Sequence, residues 1–236
     1  MDSKYKKVSI VIPVYNERLT IHIVLDQVRT ADTLGLEREI ILVDDHSTDG
    51  TAEFMREITN LDVKTFFHEK NQGKGAALRT GFSKATGDII VIQDADLEYD
   101  PTELHLVLKP FLDDSSVKVV YGSRYLKENQ ALFLGHSFFN RLFTSVGNLL
   151  LKHKITDIMT CYKAFDREAV APILAKLESE RFGFEPEVTA RITRAGFKII
   201  EVPISYHPRT RRQGKHMNFK GHLESLGALI KYSIFK

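Results

Sequence analysis

Short hydrophobic runs alternate with helically spaced apolar residues through the first half of the chain. The runs over 8–14, 39–43 and 88–93 are nearly continuous, a pattern typical of strands buried on both faces of a sheet. A weaker strand near 63–67 and helical spacing from about 75 to 85 complete the series. Strands that alternate with helices at this spacing form βαβ units. The pattern therefore predicts an α/β fold around a mostly parallel sheet.

The helix expected after the second strand has three good capping residues in front of it. Ser47, Thr48 and Asp49 directly precede an amphipathic segment. The side-chain oxygen of any of them can accept a hydrogen bond from the free N–H groups of a first helical turn. We therefore expect one of the three to cap this helix.

Acidic residues follow three of the predicted strands at the point where each strand ends. Glu17 comes after the first strand, 44–45 (Asp-Asp) close the second, and 94–98 (DADLE) follow the run at 88–93. Ligands bind at the carboxyl ends of parallel strands in α/β proteins. A single aspartate in such a place is usually only a turn or helix cap, but three converging groups favour a binding site.

The composition is that of an ordinary globular protein and excludes several classes. Of 236 residues, 33 are basic and 31 acidic, giving a net charge of +2, so a general nucleic-acid-binding surface is not expected. The single cysteine, Cys161, excludes an intrachain disulfide framework and a cysteine-rich zinc site, and fits a reducing compartment. No run of about 20 apolar residues could cross a bilayer. The first apolar run is interrupted by Pro13 and Asn16, too early for a signal peptide.

Two common nucleotide-binding motifs are absent from the places where they would be required. A dinucleotide fingerprint needs glycines directly after the first strand, yet residues 14–17 read Val-Tyr-Asn-Glu. Gly73 and Gly75 have the right spacing, but Leu78 stands where the third glycine belongs. A P-loop fails as well, because Lys74 is followed by glycine instead of serine or threonine.

Asp94 and Asp96 form a pair that suits a hard divalent cation. Their carboxylate oxygens can take one side of a Mg²⁺ or Mn²⁺ coordination shell and leave the rest to water and a diphosphate. Glu98, two residues further, can add a ligand. A lone Asp-x-Asp is a weak signal, but its place after a buried strand strengthens it.

Nine segments, in order along the chain, carry a family resemblance. They are SIVIPVYNE (9–17), ILVDDHSTDGT (41–51), NQGKGAALRTGF (71–82), IQDADLEYDP (92–101), YGSRY (121–125), FNRL (139–142), TDIMTCYKAF (156–165), GFEPEVTARI (183–192) and VPISYHPR (202–209). The first four resemble the motifs of the inverting, GT-A-type glycosyltransferases of family 2. The later five resemble those of its dolichyl-phosphate (polyprenyl-phosphate) mannosyl- and glucosyltransferase branch. The resemblance implies a GT-A domain over 1–206, with 207–236 as a basic loop and amphipathic extension.

The resemblance also assigns a donor site and a metal site. The donor-binding positions would be Pro13, Tyr15, Glu17, Asp44, Asp45, Lys74, Asp94, Ala95 and Asp96. Asp96 would be the principal ligand of Mg²⁺ or Mn²⁺, with Asp94 and Glu98 beside it. Asp44 would support the loop that follows the second strand. A cation there would offset the charge of the departing diphosphate. The glycines around Lys74 fit either a helix start that meets an anion or a simple turn.

The acceptor positions implied by the resemblance are Arg124, Arg141, Ser145, Glu185, Glu187 and Arg209. Arg124 and Arg141, with Ser145 one helical turn beyond, resemble a clamp for a lipid phosphate. Arginine suits that task because its planar fork binds phosphate at two points. Asp94, Asp96, Arg124 and Arg141 would then be the catalytic residues.

The nature of the acceptor stays open at the level of the sequence. A phosphate oxygen needs no strong general base, whereas a sugar hydroxyl would need one, from Glu185, Glu187 or Asp157. The implied reaction moves mannose or glucose from a GDP-mannose or UDP-glucose type of donor to a polyprenyl phosphate. The alternatives are transfer to a sugar hydroxyl in glycan assembly and a non-catalytic subunit that binds nucleotide sugar.

Two segments suggest contact with a membrane surface. Residues 132–151 are rich in Phe and Leu but are interrupted by polar residues, so they fit the plane of an interface or the protein core. Residues 207–220 hold five basic and no acidic residues, and 219–234 follow with helical spacing of apolar residues. Many relatives continue into transmembrane helices, whereas this sequence ends at Lys236. We expect a peripheral protein on the cytoplasmic face of a membrane, with a membrane-protein subunit as a further candidate partner.

Overall fold

A computed structural model describes residues 4–127, 134–209 and 219–235. The strands in these ranges are β1 (Lys7–Val14), β2 (Glu37–Asp44), β3 (Val63–Phe67), β4 (Ile89–Ile92), β5 (Val119–Ser123), β6 (Lys163–Asp166) and β7 (Ile199–Pro203). They form one sheet in the order β3-β2-β1-β4-β6-β5-β7. Strand β6 runs antiparallel to both of its neighbours, and every other pair is parallel. The prediction of a mostly parallel sheet is confirmed.

Helices cover both faces of this sheet. In the described ranges they are α1 (Ile21–Thr30), α2 (Thr51–Arg56), α3 (Lys74–Lys84), α4 (Leu104–Asp113), α5 (Leu134–Leu151), α6 (Arg167–Leu174), α7 (Phe184–Arg194) and α8 (Phe219–Ile230). A 3₁₀ turn over Pro101–Glu103 precedes α4, and a π-helical turn over Lys231–Phe235 follows α8. Part of the hydrophobic stretch 132–151 and most of the basic stretch 207–220 lie outside the described residues.

The core consists of two hydrophobic layers separated by the sheet. Because successive side chains of a strand point to opposite faces, Ile10 and Ile12 of β1 enter the layer with α1 and α4. Val11 enters the opposite layer with α3 and α7. All three are fully buried, so the continuous apolar runs do mark strands buried on both faces.

The cap expected for α2 is found in part. Gly50, in the left-handed conformation at φ 91°, occupies the N-cap position, but Asp49 Oδ1 accepts from the backbone N–H of Thr51, the first residue of the helix, at 3.1 Å. Ser47 instead accepts a hydrogen bond from the backbone N–H of Asn16 at 2.9 Å, and Asp49 accepts one from that of Arg18 at 3.1 Å. These side chains thus tie the loop after β2 to the loop after β1.

The reversed strand β6 brings a further segment to the ligand-binding edge. Its register pairs Ala164 with Val91 of β4, and Lys163 with Tyr121 of β5. Since β6 runs backwards, its amino end lies beside the carboxyl ends of its neighbours. Residues 155–161, which precede β6, therefore join the loops that follow the parallel strands.

Helices α5 and α8 pack against each other and against the body of the protein. The rings of Phe139 and His222 lie 4.4 Å apart, and Ser225 donates to the carbonyl of Phe182 at 2.8 Å. A Cβ at Gly147 would lie 2.2 Å from Ile158 Cδ1, so glycine lets this side chain pack closely against α5. Within the described ranges, we find no helix with the length and apolar character needed to cross a bilayer.

Candidate active site

A pocket of about 470 Å³ opens at the carboxyl edge of the sheet. The loops after β1, β2, β4 and β5 line it, together with the starts of α3 and α7 and the segment 206–209. The structure brings most of the predicted site residues into its wall: Pro13, Tyr15, Glu17, Asp45, Lys74, Asp94, Ala95, Asp96, Glu98, Arg124, Glu185 and Arg209. Asp44, Arg141, Ser145 and Glu187 are not part of the wall.

The two aspartates at the end of β2 have different tasks. Asp45 accepts hydrogen bonds from the backbone N–H groups of Gln72 and Gly73 at 2.9 and 2.6 Å, and contacts His68 Nδ1 at 2.8 Å. It therefore holds the start of α3 against the pocket. Asp44 is buried and accepts from the backbone N–H of Ser47 at 3.1 Å, so it supports its loop without reaching the pocket.

The glycines around Lys74 are required by a close approach of backbone. A Cβ at Gly73 would lie 2.5 Å from the carbonyl oxygen of Glu180, and one at Gly75 would lie 2.3 Å from that of Ser179. Gly73 also has φ 100°, which favours glycine. The N–H of Ala76 already donates to Glu180 at 3.1 Å. Packing against the segment 179–180 thus explains this motif without a bound anion.

Lys74 places its charge between two carboxylates of the pocket. Its Nζ lies 2.6 Å from Asp94 Oδ1 and 3.5 Å from Glu185 Oε1. Burial lowers the pKa of Lys74, but the attraction of Asp94, Cys161 and Glu185 and the hydrogen bond to Asp94 together outweigh burial and hold this pKa well above its ordinary value. Burial raises the pKa of the Cys161 thiol, which donates to Glu185 at 3.4 Å. In this arrangement Asp94 is already paired with a cation.

Arg209 lies on the carboxylates that the resemblance assigns to the donor and the metal. Its Nη2 and Nη1 contact the two oxygens of Glu17 at 2.7 and 2.9 Å, and Nη2 lies 3.2 Å from Asp96 Oδ2. Its backbone N–H donates to Glu98 at 2.8 Å, and Tyr206 donates to the other oxygen of Glu98 at 2.8 Å. The buried Nε of Arg209 has no hydrogen-bond partner among the described residues. Arg209, expected at the acceptor, thus contacts two carboxylates that were expected to bind the donor and the metal.

The carboxylate oxygens of the 94–98 loop are suitable ligands for a hard divalent cation, but in this structure they are bound by cationic side chains. Burial and the charges of Asp94 and Glu98 raise the pKa of Asp96 to about 7, so a positive partner is favoured there. Lys74 and Arg209 supply that charge in this structure. Among the described residues, no group of three or more His, Cys, Asp or Glu side chains is arranged so that it could hold a metal ion. Mg²⁺ or Mn²⁺ bound by these oxygens would have to replace Arg209 at Asp96 and Lys74 at Asp94.

Two arginines and a tyrosine lie in or beside the pocket wall. Arg124 lines the pocket, and Asp157 binds its Nε and Nη2 at 2.7 Å each. The guanidinium of the exposed Arg141 lies 5.0 Å from the ring centre of Tyr125, which also lines the pocket. Ser145, on the same helix, donates to the carbonyl of Arg141 at 2.9 Å. Arg141 and Ser145 thus lie beside the pocket rather than in its wall.

Glu185 and Glu187 diverge because residues two apart on a helix face different directions. Glu185 reaches the pocket. Glu187 is fully buried and accepts from the backbone N–H groups of Glu178 and Ser179 and from Arg191, at 2.7–3.1 Å. The structure therefore gives Glu187 a loop-holding position and not the acceptor contact that we expected.

Several residues of the wall were missed by the sequence reasoning. Tyr206 belongs to a segment quoted for the resemblance, but no role was drawn from it. Cys161 was considered only for its redox chemistry, and Arg181 and Phe182 precede a quoted segment by two positions and one position. This closeness to the start of α7 was the signal that could have identified them. Asp157, a candidate base, commits both oxygens to Arg124.

Comparison with known proteins identifies relatives over most of the chain. Residues 9–174 match the family described as "Glycosyl transferase family 2". The dolichol-phosphate mannosyltransferase of Pyrococcus furiosus is 31% identical over 217 residues, which make up 89% of this chain and 59% of that protein. The chain thus spans less than two thirds of the length of this relative.

Solved structures share the fold. Glucosyl-3-phosphoglycerate synthase from Mycobacterium tuberculosis, crystallised with Mn²⁺, uridine diphosphate and phosphoglyceric acid, matches with a TM-score of 0.73 at 20% identity, covering 98% of this chain and 80% of its own. Mannosyl-3-phosphoglycerate synthase from Rubrobacter xylanophilus matches with a TM-score of 0.70 at 18% identity, covering 96% and 72%. The expected GT-A fold is confirmed.

Proposed function

This chain belongs to glycosyl transferase family 2, and we propose that it transfers a hexose from a nucleotide diphosphate sugar to a polyprenyl phosphate. The observation that carries the proposal is that one pocket is lined both by a group of carboxylates and by a buried arginine. The carboxylates are Glu17, Asp45, Asp96 and Glu98, and the arginine is Arg124. Carboxylates suit a diphosphate carried by a cation, and an arginine suits a phosphate that arrives without one.

On the donor side, the residues of the chain bind and orient the nucleotide sugar. Asp94, Asp96 and Glu98 would hold Mg²⁺ or Mn²⁺, which would stabilise negative charge on the leaving diphosphate. Glu17, when Arg209 has moved away, offers both oxygens to the hydroxyl groups of the nucleoside. The solved relative that binds Mn²⁺ and uridine diphosphate supports this assignment.

On the acceptor side, a phosphate oxygen attacks the anomeric carbon in line with the departing diphosphate. The new carbon–oxygen bond forms as the bond to the diphosphate breaks, and the configuration at the carbon inverts. Arg124 and Arg141 hold the acceptor phosphate, and the reaction needs no general base because this oxygen is already ionised. Each of the three candidate bases for a sugar hydroxyl already has partners: Asp157 is paired with Arg124, Glu187 accepts from the backbone at 178–179, and Glu185 lies 3.5 Å from Lys74. This pairing favours the phosphate acceptor.

A lipid acceptor agrees with the exposed surface of α5, which carries Arg141, and of α8, which packs against α5. Leu142 and Leu149 of α5 and Leu223 and Ile230 of α8 are exposed large apolar residues. Such residues gain free energy when they enter the interface of a bilayer. The likeness to a dolichol-phosphate mannosyltransferase supports the same acceptor. We therefore place the protein at a membrane surface, on the cytoplasmic face where nucleotide sugars are available.

The test is a transfer assay with GDP-mannose or UDP-glucose as donor, in Mn²⁺, with three acceptors in parallel. These are a short-chain polyprenyl phosphate, 3-phosphoglycerate and an oligosaccharide. Product on the polyprenyl phosphate alone supports the proposal, whereas product on either of the others alone overturns the lipid acceptor. Tight donor binding without transfer to any acceptor would indicate a non-catalytic subunit.

A further inference from the structure

Arg124 is fixed in the pocket wall by a buried carboxylate. Asp157 binds the Nε and Nη2 groups of Arg124 at 2.7 Å each and accepts from its backbone N–H at 3.2 Å. The Arg124 side chain is 7% exposed and that of Asp157 is 0% exposed. Because a two-point pair between a guanidinium and a carboxylate is planar, Asp157 sets the plane of the Arg124 side chain.

Asp157 is itself held by Glu201 of the edge strand β7. Glu201 accepts from the backbone N–H of Asp157 at 3.1 Å, from the backbone N–H of Thr156 at 2.8 and 2.9 Å, and from the Thr156 hydroxyl at 2.9 Å. The Thr156 hydroxyl also contacts Ser123 Oγ at 2.6 Å, next to Arg124 in the chain. Glu201 therefore fixes both the turn that carries Asp157 and the strand end that carries Arg124.

This position is an unfavourable one for a carboxylate. Burial raises the pKa of Glu201 above its ordinary value, and the charge of Asp157 acts in the same direction against the hydrogen bonds from Thr156 and Asp157. A carboxylate beside a second carboxylate is costly unless it binds donors. The donors that Glu201 binds are those of the 156–157 turn. The contacts of Glu201 therefore serve to hold the 156–157 turn in place.

We propose that Glu201 is a positioning residue for Arg124 in the recognition of the acceptor phosphate. The inference rests on the acceptor end of the proposed function. A guanidinium has five N–H groups, and Asp157 uses two of the five on Arg124. The three that remain can meet a phosphate at two points only if the plane of the guanidinium is fixed. Glu201 supplies that constraint through Asp157 without touching the substrate.

The test is Glu201→Gln, which keeps the size of the side chain and removes one acceptor oxygen and the charge. We expect the KM for a short-chain polyprenyl phosphate to rise about tenfold, as for the loss of a charge-assisted hydrogen bond. The donor KM should stay within about twofold. The Kd for inorganic phosphate, measured by calorimetry on the protein without donor, should rise by a similar factor, about tenfold.

Glu39→Gln is the matched control. Like the half-buried Glu201, the buried Glu39 is a carboxylate that accepts from a backbone N–H and a threonine hydroxyl, both of Thr86 at 2.9 Å. Glu39 lies near the amino end of β2, whereas the pocket lies at the carboxyl ends of the strands. Its substitution should lower the melting temperature and leave the acceptor KM and the phosphate Kd unchanged. If Glu201→Gln behaves in the same way, the positioning role is wrong.

Two further outcomes separate this inference from the proposed function. If the wild type binds phosphate but transfers nothing to polyprenyl phosphate, the proposed acceptor is wrong, and the phosphate Kd of the variant still decides the role of Glu201. Should Glu201→Gln fail to fold, Thr156→Val removes one hydroxyl from the same turn. It should raise the acceptor KM alone, and equal rises in the donor and acceptor KM values would overturn the inference.

Discussion

The guanidinium of Arg209 binds both oxygens of Glu17, at 2.7 and 2.9 Å, across 192 residues of sequence. The same guanidinium reaches Asp96 at 3.2 Å. A divalent cation bound by Asp96 would therefore compete with Arg209 for the same oxygen, and a nucleotide bound at Glu17 would compete with it as well. The buried Nε of Arg209, which has no partner among the described residues, would gain one if the side chain moved onto a diphosphate.

We expect Arg209→Ala to strengthen Mn²⁺ binding while it weakens donor use. Removal of the competing cation frees Asp96 and Glu17, so the Kd of Mn²⁺ alone should fall about tenfold, the effect of one close charge pair in a partly buried site. Calorimetry without donor measures it. Lys127→Ala is the control, because it removes an equal charge that pairs with Glu103 at 2.8 Å. If the two variants bind Mn²⁺ with equal affinity, Arg209 does not compete with the cation.

Asp96→Ala should abolish transfer and leave the fold intact. Asp96 is the carboxylate expected to hold the leaving diphosphate through its cation, and its burial among like charges means that the fold gains little from it. We expect loss of more than about a thousandfold in kcat, typical of a removed charge-stabilising group. Transfer assays and thermal melts measure the two properties. Unchanged turnover would refute the metal assignment.

Arg141→Ala should raise the acceptor KM far more than the donor KM. Arg141 is exposed and stacks over Tyr125 at the edge of the pocket, so it can contact an arriving phosphate while the donor lies deeper. The measurement is steady-state kinetics with each substrate varied in turn. Lys109→Ala, which removes a surface cation paired with Asp113 at 2.9 Å on α4, should change neither KM. Similar rises in both would exclude Arg141 from the phosphate site.

Gly75→Ala and Gly227→Ala should have opposite effects on stability. The new Cβ of the first would lie 2.3 Å from the carbonyl oxygen of Ser179, whereas nothing lies within 4 Å of the second. We expect Gly75→Ala to cost about 1–3 kcal/mol of unfolding free energy through overpacking, and to raise the donor KM because Lys74 shifts. Gly227→Ala should gain about 0.5–1 kcal/mol from helix propensity. Urea unfolding of both variants gives the comparison.

Glu39→Gln should destabilise the protein at neutral pH and progressively less in acid. Burial works to raise the pKa of Glu39, but the hydrogen bonds from Lys64, Ser9 and Thr86 outweigh it and lower this pKa to about 2. A carboxylate with a depressed pKa contributes stability above its unfolded pKa and loses it as the pH falls towards the folded value. The difference in unfolding free energy should be about 3 kcal/mol at pH 7, and it should shrink below about pH 4.5. A constant difference between pH 7 and pH 4 would contradict this balance.

The pocket carboxylates that are expected to bind the donor could be predicted from local patterns. Apolar runs that end in acidic residues identified the ends of β1, β2 and β4, because burial on both faces leaves a short continuous signal and parallel strands share one edge. The pocket contains Glu17, Asp45 and Asp96 as expected. These inferences needed only the order of elements along the chain.

The remaining features depend on contacts between distant segments. The reversal of β6 is set by its pairing with β4 and β5, and no local pattern marks it. The position of Arg209 on Glu17, and the burial of Glu187 under the backbone at 178–179, also follow from tertiary packing. Even the start of α2 was decided by a neighbouring loop, which engages the side chains of Ser47 and Asp49.

The antiparallel pairing of β5 and β6 makes residues 124–162 a separate segment between two neighbouring strands of the sheet. The chain leaves the sheet at Arg124 and returns at Tyr162 to the same edge, since Tyr121 and Lys163 are cross-strand partners. The segment between them is therefore an excursion with fixed ends, which can change in length and sequence without altering the strands that hold the donor loops. Exchange of 124–162 between relatives would therefore replace the proposed acceptor residues Arg124 and Arg141 and leave in place the loops that carry Glu17, Asp45 and Asp96.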